Sequence, residues 1–375
     1  MRAPEFCIGL MSGTSLDGVD GVLARWSGDR DDAFETRSFT HRAFAPALHD
    51  ELLALNRAGA DEIHRAALAA NALARDCAAA VSDLLEQAGV AAADVAAIGA
   101  HGQTVRHRPG AFDGTGYTVQ ILDGALLAEL THIDVVCDLR ARDVAAGGQG
   151  APLVPAFHAA CLADRETDVA VLNIGGIANL TLLPAGGGPV GGFDCGPGNL
   201  LLDLWCRRHL GRPYDADGAW AAGGAIDHAM LQRWLAEPYF ARLPPKSTGR
   251  DLFDASWLDA GLAGTTRRPQ DVMATLAELT VRGAIEALAR HAPRTTRLWV
   301  CGGGAFNAHL MRRLAALAGP GVVVRTTAAA GLPPERVEAL AFAWLARRFL
   351  QRRPGNLPAV TGARGVRLLG ALYPA

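Results

Sequence analysis

Three glycine-rich turns hold the residue types best suited to chemistry. The first, Gly13-Thr14-Ser15-Leu16-Asp17-Gly18, separates two apolar, strand-like runs. Glycine lets backbone N–H groups approach an anion closely, and the Ser and Thr hydroxyls add donors. Asp17 has the wrong sign for a phosphate unless a cation lies between them. A Mg²⁺ that keeps most of its waters and bridges to nucleotide phosphate would resolve the conflict. The same residue types also make an ordinary hairpin turn. The second turn, Asn173-Ile174-Gly175-Gly176-Ile177-Ala178-Asn179, answers the first, and two such hairpins could clamp a polyphosphate. The third, Cys301-Gly302-Gly303-Gly304-Ala305-Phe306-Asn307, runs from a strand into a helix, where N–H groups and the helix dipole favour an anion. Each turn alone is weak evidence, but three on an α/β frame point to nucleotide binding.

Two carboxylates stand out. Asp194 ends an expected strand, between Gly192-Phe193 and Cys195-Gly196-Pro197-Gly198-Asn199. Strand ends in α/β folds face the ligand crevice, and the glycines leave room for a substrate. An Asp before a Gly-Pro helix start is equally a helix N-cap, and position alone leaves both readings open. Glu338 lies one turn before the apolar stripe of Ala341, Phe342, Leu345 and Phe349, so its carboxylate points inward or toward a cleft. Buried, it needs a partner or a ligand; as a surface residue near a helix N-terminus it is less apt than Glu335. The run His101-Gly102-Gln103-Thr104 offers an imidazole, an amide and a hydroxyl, a set suited to sugar hydroxyls or an acetamido group. His101 reads as a structural histidine, and Gln103 and Thr104 as the ligand candidates.

These residues require an alternating α/β frame. Strands are expected at about 6–11, 19–26 and 34–42, then a helix over 61–89 with apolar spacing at Ile63, Ala67, Ala70, Leu73 and Cys77. A buried strand leads into the HGQT loop, and YTVQI, a short helix and IDVVCDL complete the half. The Gly/Ala-rich segment 138–158 is the boundary and hinge candidate, with Asp138, Arg140 and Asp143 spaced along it. The pattern then restarts with strand, glycine turn, strand, strand and helix, a weak internal repeat. The expected domains are an N-terminal lobe, 1–140, and a C-terminal lobe, 141–355, with 356–375 packing back onto the first. The insertion 237–258 looks loop-like.

Composition removes several classes. A net charge of −2 offers no nucleic-acid or anionic-membrane surface. No apolar run reaches the length of a membrane span, and the N-terminus lacks a leader pattern, so a cytoplasmic protein is expected. The seven cysteines contain no CxxC pair and read as core residues, not as disulfides or a zinc site. Lys246 is the sole lysine and sits in PPKSTGR, so no Walker-type phosphate loop exists. GxSxG and HExxH are absent too.

The chain resembles the anhydro-N-acetylmuramic acid kinases, bacterial enzymes of the sugar kinase/Hsp70/actin fold group. The matching motifs are GLMSGTSLDGVD (9–20), HGQT (101–104), GGQGAPLVPAFH (147–158), NIGGIAN (173–179), GFDCGPGN (192–199), KSTGRDLF (246–253), CGGGAFN (301–307) and VEALAFAWLA (337–346). Cys195 stands where the family more often has Thr or a small residue, and Asp251 where Glu is common. The resemblance implies a two-domain, duplicated ribonuclease H-like fold with an interdomain cleft. It further implies a homodimer using ATP and Mg²⁺ on 1,6-anhydro-N-acetylmuramic acid, to give N-acetylmuramic acid 6-phosphate.

Carried onto this sequence, the family's ATP turn falls on Gly13, Thr14, Ser15, Leu16, Asp17, Gly18, Val19 and Asp20. Gly175, Gly176, Gly302, Gly303, Gly304 and Asn307 would complete the phosphate contacts, and Asp17 would hold Mg²⁺ through water. The catalytic aspartate falls on Asp194, with Gln103, Thr104, Asn179 and Glu338 holding the sugar. The rivals are another N-acetylhexosamine kinase of this fold, a non-catalytic sugar-sensing repressor, and a glycoside hydrolase pairing Asp194 with Glu338. The repressor needs a DNA-binding module for which residues 1–8 leave no room, and the hydrolase leaves the glycine turns unexplained.

Overall fold

The computed structural model describes residues 5–13, 15–249, 252–264 and 266–375. It divides into two compact units, Met1–Cys161 with Arg336–Ala375, and Leu162–Glu335. In the first, β1 (Glu5–Met11), β2 (Gly18–Trp26) and β3 (Phe34–Ala43) form an antiparallel meander. β4 (Val95–Ala100) and β7 (Val135–Cys137) extend the sheet in parallel on the other side of β1. A last strand, Ala371–Tyr373, pairs antiparallel with β7, so the tail returns to this unit. β5 (Gln103–Pro109) and β6 (Gly116–Ile121) make a separate two-stranded ribbon, so Gln103 opens a strand instead of lying in a loop.

The second unit repeats this topology. β8 (Val169–Ile174), β9 (Ile177–Leu183) and β10 (Gly191–Pro197) form the meander, and β11 (Arg297–Cys301) and β12 (Val323–Thr326) run parallel to β8. The order β10-β9-β8-β11-β12 mirrors β3-β2-β1-β4-β7. This is the duplicated α/β architecture of the two-domain sugar kinase fold.

Helices cover both faces of the first sheet, which is why β1 and β4 are nearly continuous apolar runs. Leu84, on the helix Glu62–Ala88, lies against Gly21, the ladder partner of Leu10. Gly9, on the opposite face, lies against the helix Val337–Leu350, where a Cβ would come within 1.8 Å of the Ala339 carbonyl oxygen. A Cβ at Gly99 would come within 2.0 Å of the Phe342 carbonyl oxygen, so two strand glycines let the helix backbone rest directly on the sheet.

The units meet in sequence at 161/162 and 335/336, whereas the sequence reading divides the chain at 140/141 and 355/356. The physical reason is the packing of Val337–Leu350 on β1 and β4, which draws this late helix into the first unit. Its buried residues lie all round from Val337 to Arg347, not on one stripe. On Glu62–Ala88 the buried stripe starts at Ala69, while Ile63 and Ala67 are exposed. The expected loop 237–258 contains the short helix Pro238–Ala241 and the start of another, Ala255–Leu262.

Candidate functional site

Candidate residues gather in two clusters, one per unit. In the first, β1 runs out into the Ser12–Asp17 turn. Leu16 takes a left-handed conformation (φ 60°) and buries its side chain in the core, while its N–H donates to the Gly13 carbonyl at 3.3 Å. The Ser15 hydroxyl donates to Asp17 at 2.6 Å, and Asp17 is exposed. Val19 is fully buried, backbone included. Asp20 is half-buried and pairs with His41 at 2.8 Å. Thr14 lies outside the described residues.

A chain of hydrogen bonds fixes the base of this turn. The His101 Nδ1–H donates to the Ser12 carbonyl at 3.0 Å, and its Nε2 accepts from the Arg140 Nε–H at 2.9 Å. Arg140 also donates to the Gly150 carbonyl at 2.7 Å. Burial first, and the Arg140 charge second, push the His101 pKa down to about 3. With both nitrogens engaged and the ring neutral, His101 is a structural bracket, not a general base. Gln103 is buried; its carbonyl accepts from the Ser12 hydroxyl and its NH₂ donates to the Thr104 carbonyl at 3.4 Å. The Thr104 hydroxyl is half-buried and accepts from Gln120 at 3.1 Å.

Glu338 is half-buried, and its surroundings are informative. Burial raises its pKa, Arg140 opposes the rise, and the negative charges of Asp20 and Asp17 add to it. Two carboxylates and one guanidinium thus act on Glu338 here. Arg140 in turn sits at about 10, lowered by burial and held up by Glu338 and Asp143. Asp143 does not line a surface. It is fully buried and accepts from the Gly150 N–H at 2.8 Å, Asn356 at 2.6 Å and the Thr361 hydroxyl at 2.8 Å. It therefore ties the 147–150 loop to the C-terminal segment, while Asp138 is exposed.

The second cluster centres on Asp194. The ladder pairs Cys301 with Asn173, Asn173 with Asn179 and Asn179 with Asp194, placing the four in one cross-strand row. A register shift follows Asp194, between it and Gly196, and such bulges re-aim side chains beside sites. One Asp194 carboxylate oxygen accepts the Thr248 N–H at 2.9 Å. Its N–H donates to the Lys246 carbonyl at 3.2 Å, and its carbonyl accepts the Tyr239 hydroxyl at 2.8 Å. Burial pushes the Asp194 pKa up to about 6 against the pull of the Thr248 N–H and the Lys246 charge. The helix Asn199–Leu210 begins after Gly198 with no side-chain cap, so the N-cap reading of Asp194 is set aside.

The glycine turns differ in what they do. The Gly175 carbonyl accepts from the Asn199 N–H at 2.8 Å, and that of Gly176 from the N–H groups of Gly198 and Leu200 at 2.9 and 3.1 Å. This turn therefore caps the following helix. Asn307 caps the helix Ala308–Ala318 through its side-chain oxygen, 3.0 Å from the Leu310 nitrogen. A Cβ at Gly18 would lie 2.1 Å from the Arg42 carbonyl oxygen, and one at Gly304 2.3 Å from the Ile174 side chain. Gly302 has φ 78°, and a Cβ there would lie 2.4 Å from Asn173. At Gly13, Gly175 and Gly303 nothing lies nearer than 3.6 Å and φ is ordinary, so packing among non-neighbouring residues does not explain glycine there.

Sequence reasoning missed the Thr248 N–H and the Tyr239 hydroxyl. The first is a backbone donor, and the second a side chain that meets a backbone carbonyl, both from a stretch that reads as a loop, so residue types did not disclose either contact. Arg140 was visible only as one of three charged residues in a loop.

The profile of the family described as "Anhydro-N-acetylmuramic acid kinase" matches residues 5–375. A protein of that name from Variovorax paradoxus (strain S110) is 57% identical over 378 residues, covering 100% of both chains. One from Bordetella petrii is 59% identical over 373 residues, covering 98% of this chain and 96% of the other. Among solved structures, the activator of the 2-hydroxyisocaproyl-CoA dehydratase from Clostridium difficile with bound ADPNP is a remote likeness. Its TM-score is 0.45 at 13% identity, over 92% of this chain and 96% of that one.

Proposed function

The chain belongs to the anhydro-N-acetylmuramic acid kinase family, and from that premise we propose how its residues carry the reaction. It is an ATP-dependent kinase of cell-wall recycling. The substrate is 1,6-anhydro-N-acetylmuramic acid. Its 6-oxygen is an ether and carries no proton for a base to remove. Asp194 instead takes a proton from water, whose oxygen attacks the anomeric carbon. The bond from that carbon to the 6-oxygen breaks, the 6-oxygen bonds to the γ-phosphorus of ATP, and ADP leaves. The product is N-acetylmuramic acid 6-phosphate.

The observation that carries this reading is the bracketed carboxylate of Asp194. Held near pKa 6, it is mostly ionised at neutral pH yet accepts a proton more readily than an ordinary carboxylate of 3.8. Glycine at 13, 175 and 303, where the fold leaves room for a side chain, suits close approach by phosphate oxygens. We read Glu338 and Arg140 as sugar-facing groups, with Thr104 and Asn179 beside the substrate. Gln103, buried and bonded to Ser12, acts by holding the turn.

Mg²⁺ fits the donor set of the first unit. Among the described residues no three His, Cys, Asp or Glu converge as a cage. A hydrated Mg²⁺ shared with phosphates needs only one or two carboxylates. Exposed Asp17 would hold it through water, in the negative field that Glu338 senses from Asp17 and Asp20. Bound there, the ion would neutralise charge on the phosphates.

Among the described residues no helix is long and apolar enough to cross a membrane. We place the protein in the cytoplasm as a homodimer, as the family resemblance implies. The deciding assay is mass spectrometry of the anhydro-sugar after incubation with ATP. The product gains one phosphate and one water; turnover of only the free N-acetylated sugar would refute the assignment.

A further inference from the structure

Lys246 is the one lysine in a chain whose other 35 basic residues, of 36 Lys and Arg in all, are arginine. Its ammonium donates to the carbonyls of Tyr239 and Phe240 at 3.2 and 3.3 Å. It lies 4.8 Å from the Tyr239 ring centroid and 5.8 Å from that of Phe193. Lys246 thereby ties the start of the 246–248 segment to the helix Pro238–Ala241. The same two pieces bracket Asp194. The segment supplies the Thr248 N–H and the Lys246 carbonyl, and the helix supplies the Tyr239 hydroxyl.

We propose that Lys246 is a positioning residue for Asp194: its ammonium locks these two pieces together so that the Thr248 N–H meets the carboxylate and holds it aimed. This rests on Asp194 being the base. A compact ammonium can donate to two adjacent carbonyls while facing an aromatic ring. A planar guanidinium fork distributes its donors differently, so arginine is a poor substitute. The surrounding charges do not supply the same tie. Arg290 donates to the Phe240 carbonyl at 3.1 Å, and Arg242 lies over the Tyr239 ring. His291 packs against Phe193, and the Cys195 thiol, raised by burial, stays neutral. Among these, Lys246 alone contacts the helix while its own backbone pairs with Asp194.

The test compares Lys246→Met, Lys246→Gln and Lys246→Arg in the full-length enzyme. It reads kcat against pH, KM for ATP and for the anhydro-sugar, and thermal melting. The two neutral variants should lose at least about tenfold in kcat with little change in either KM. The acidic limb of the kcat profile should move to higher pH, because losing a nearby positive charge disfavours the carboxylate. Lys246→Arg should restore the limb but only part of kcat. Folded neutral variants with wild-type kcat and acidic limb overturn the proposal. If neither neutral variant folds, an Arg variant identical to wild type in kcat overturns the need for an ammonium. Asp194→Asn is run in parallel. Near-normal activity there refutes the base assignment itself, whereas an inactive Asn variant beside wild-type-like lysine variants refutes only the positioning role.

Discussion

Asp194→Asn is expected to make the fold more stable while nearly abolishing turnover. The native structure holds this carboxyl at about 6, above its ordinary 3.8. The native state therefore binds the proton more tightly than the unfolded chain does. That stabilisation is present below about pH 4 and is lost as pH rises through about 6. Above it, folding the ionised group costs about 3 kcal/mol, from 1.36 kcal/mol for each tenfold in proton affinity. Asparagine keeps an oxygen to accept the Thr248 N–H, which lies 2.9 Å from the carboxylate oxygen, and removes the buried charge. Urea midpoints at pH 8 should favour the variant by about 3 kcal/mol, and at pH 5, where wild type is partly protonated, by about half that. Turnover should fall about 10²–10⁴-fold with the general base removed. A variant no more stable than wild type at pH 8, or one whose advantage is equal at the two pH values, would refute the burial argument.

Three further outcomes follow from named contacts. Glu338→Gln should raise KM for the anhydro-sugar about thirtyfold, the loss of one charge-assisted hydrogen bond of about 2 kcal/mol, leaving KM for ATP near wild type; steady-state kinetics with each substrate varied decides it. Asp143→Asn turns a donor toward one of three buried donors and should cost about 3 kcal/mol in urea unfolding, so an unchanged midpoint contradicts its role as anchor of the 147–150 loop. Gly13→Ala should leave stability within about 1 kcal/mol, because no atom beyond its chain neighbours lies nearer than 3.6 Å to the new methyl. It should raise KM for ATP several-fold, and an unchanged KM argues against phosphate approach at this turn.

Local patterns made much of the frame legible. Strand, glycine turn and strand occur twice, and both copies fold as the same meander with two parallel strands beyond it. What chain order could not disclose is where Val337–Leu350 docks. Its partners, Gly9 and Gly99, lie more than two hundred residues earlier, and a glycine in a strand does not name the helix that needs it. The KSTGR stretch was similar. Lys246 was conspicuous as a residue type, but its geometry depends on carbonyls of Tyr239 and Phe240, and backbone carbonyls carry no sequence signal. Asp194 was ambiguous because cap and base share a position before a helix. The absence of a side-chain cap at the start of Asn199–Leu210 sets the cap aside, and the Thr248 N–H on the carboxylate supports the reading as a base.

The duplication repeats topology but not chemistry. In the first unit the turn between β1 and β2 is followed by an exposed Asp17 and a half-buried Asp20, with Glu338 in their field. Such a turn can share a cation with an anionic ligand. In the second unit the turn between β8 and β9 carries no acid, and its carbonyls take the N–H groups of Gly198, Asn199 and Leu200. Those are N–H groups at the start of a helix, the usual attraction for phosphate, and here the protein already satisfies them. An anion at this turn must therefore use other donors, and the side-chain row ending in Asp194 is the face on which we place the reaction. Two turns alike in sequence thus differ in what they offer: one is followed by an exposed and a half-buried carboxylate, and the other closes on the helix that follows the Asp194 strand.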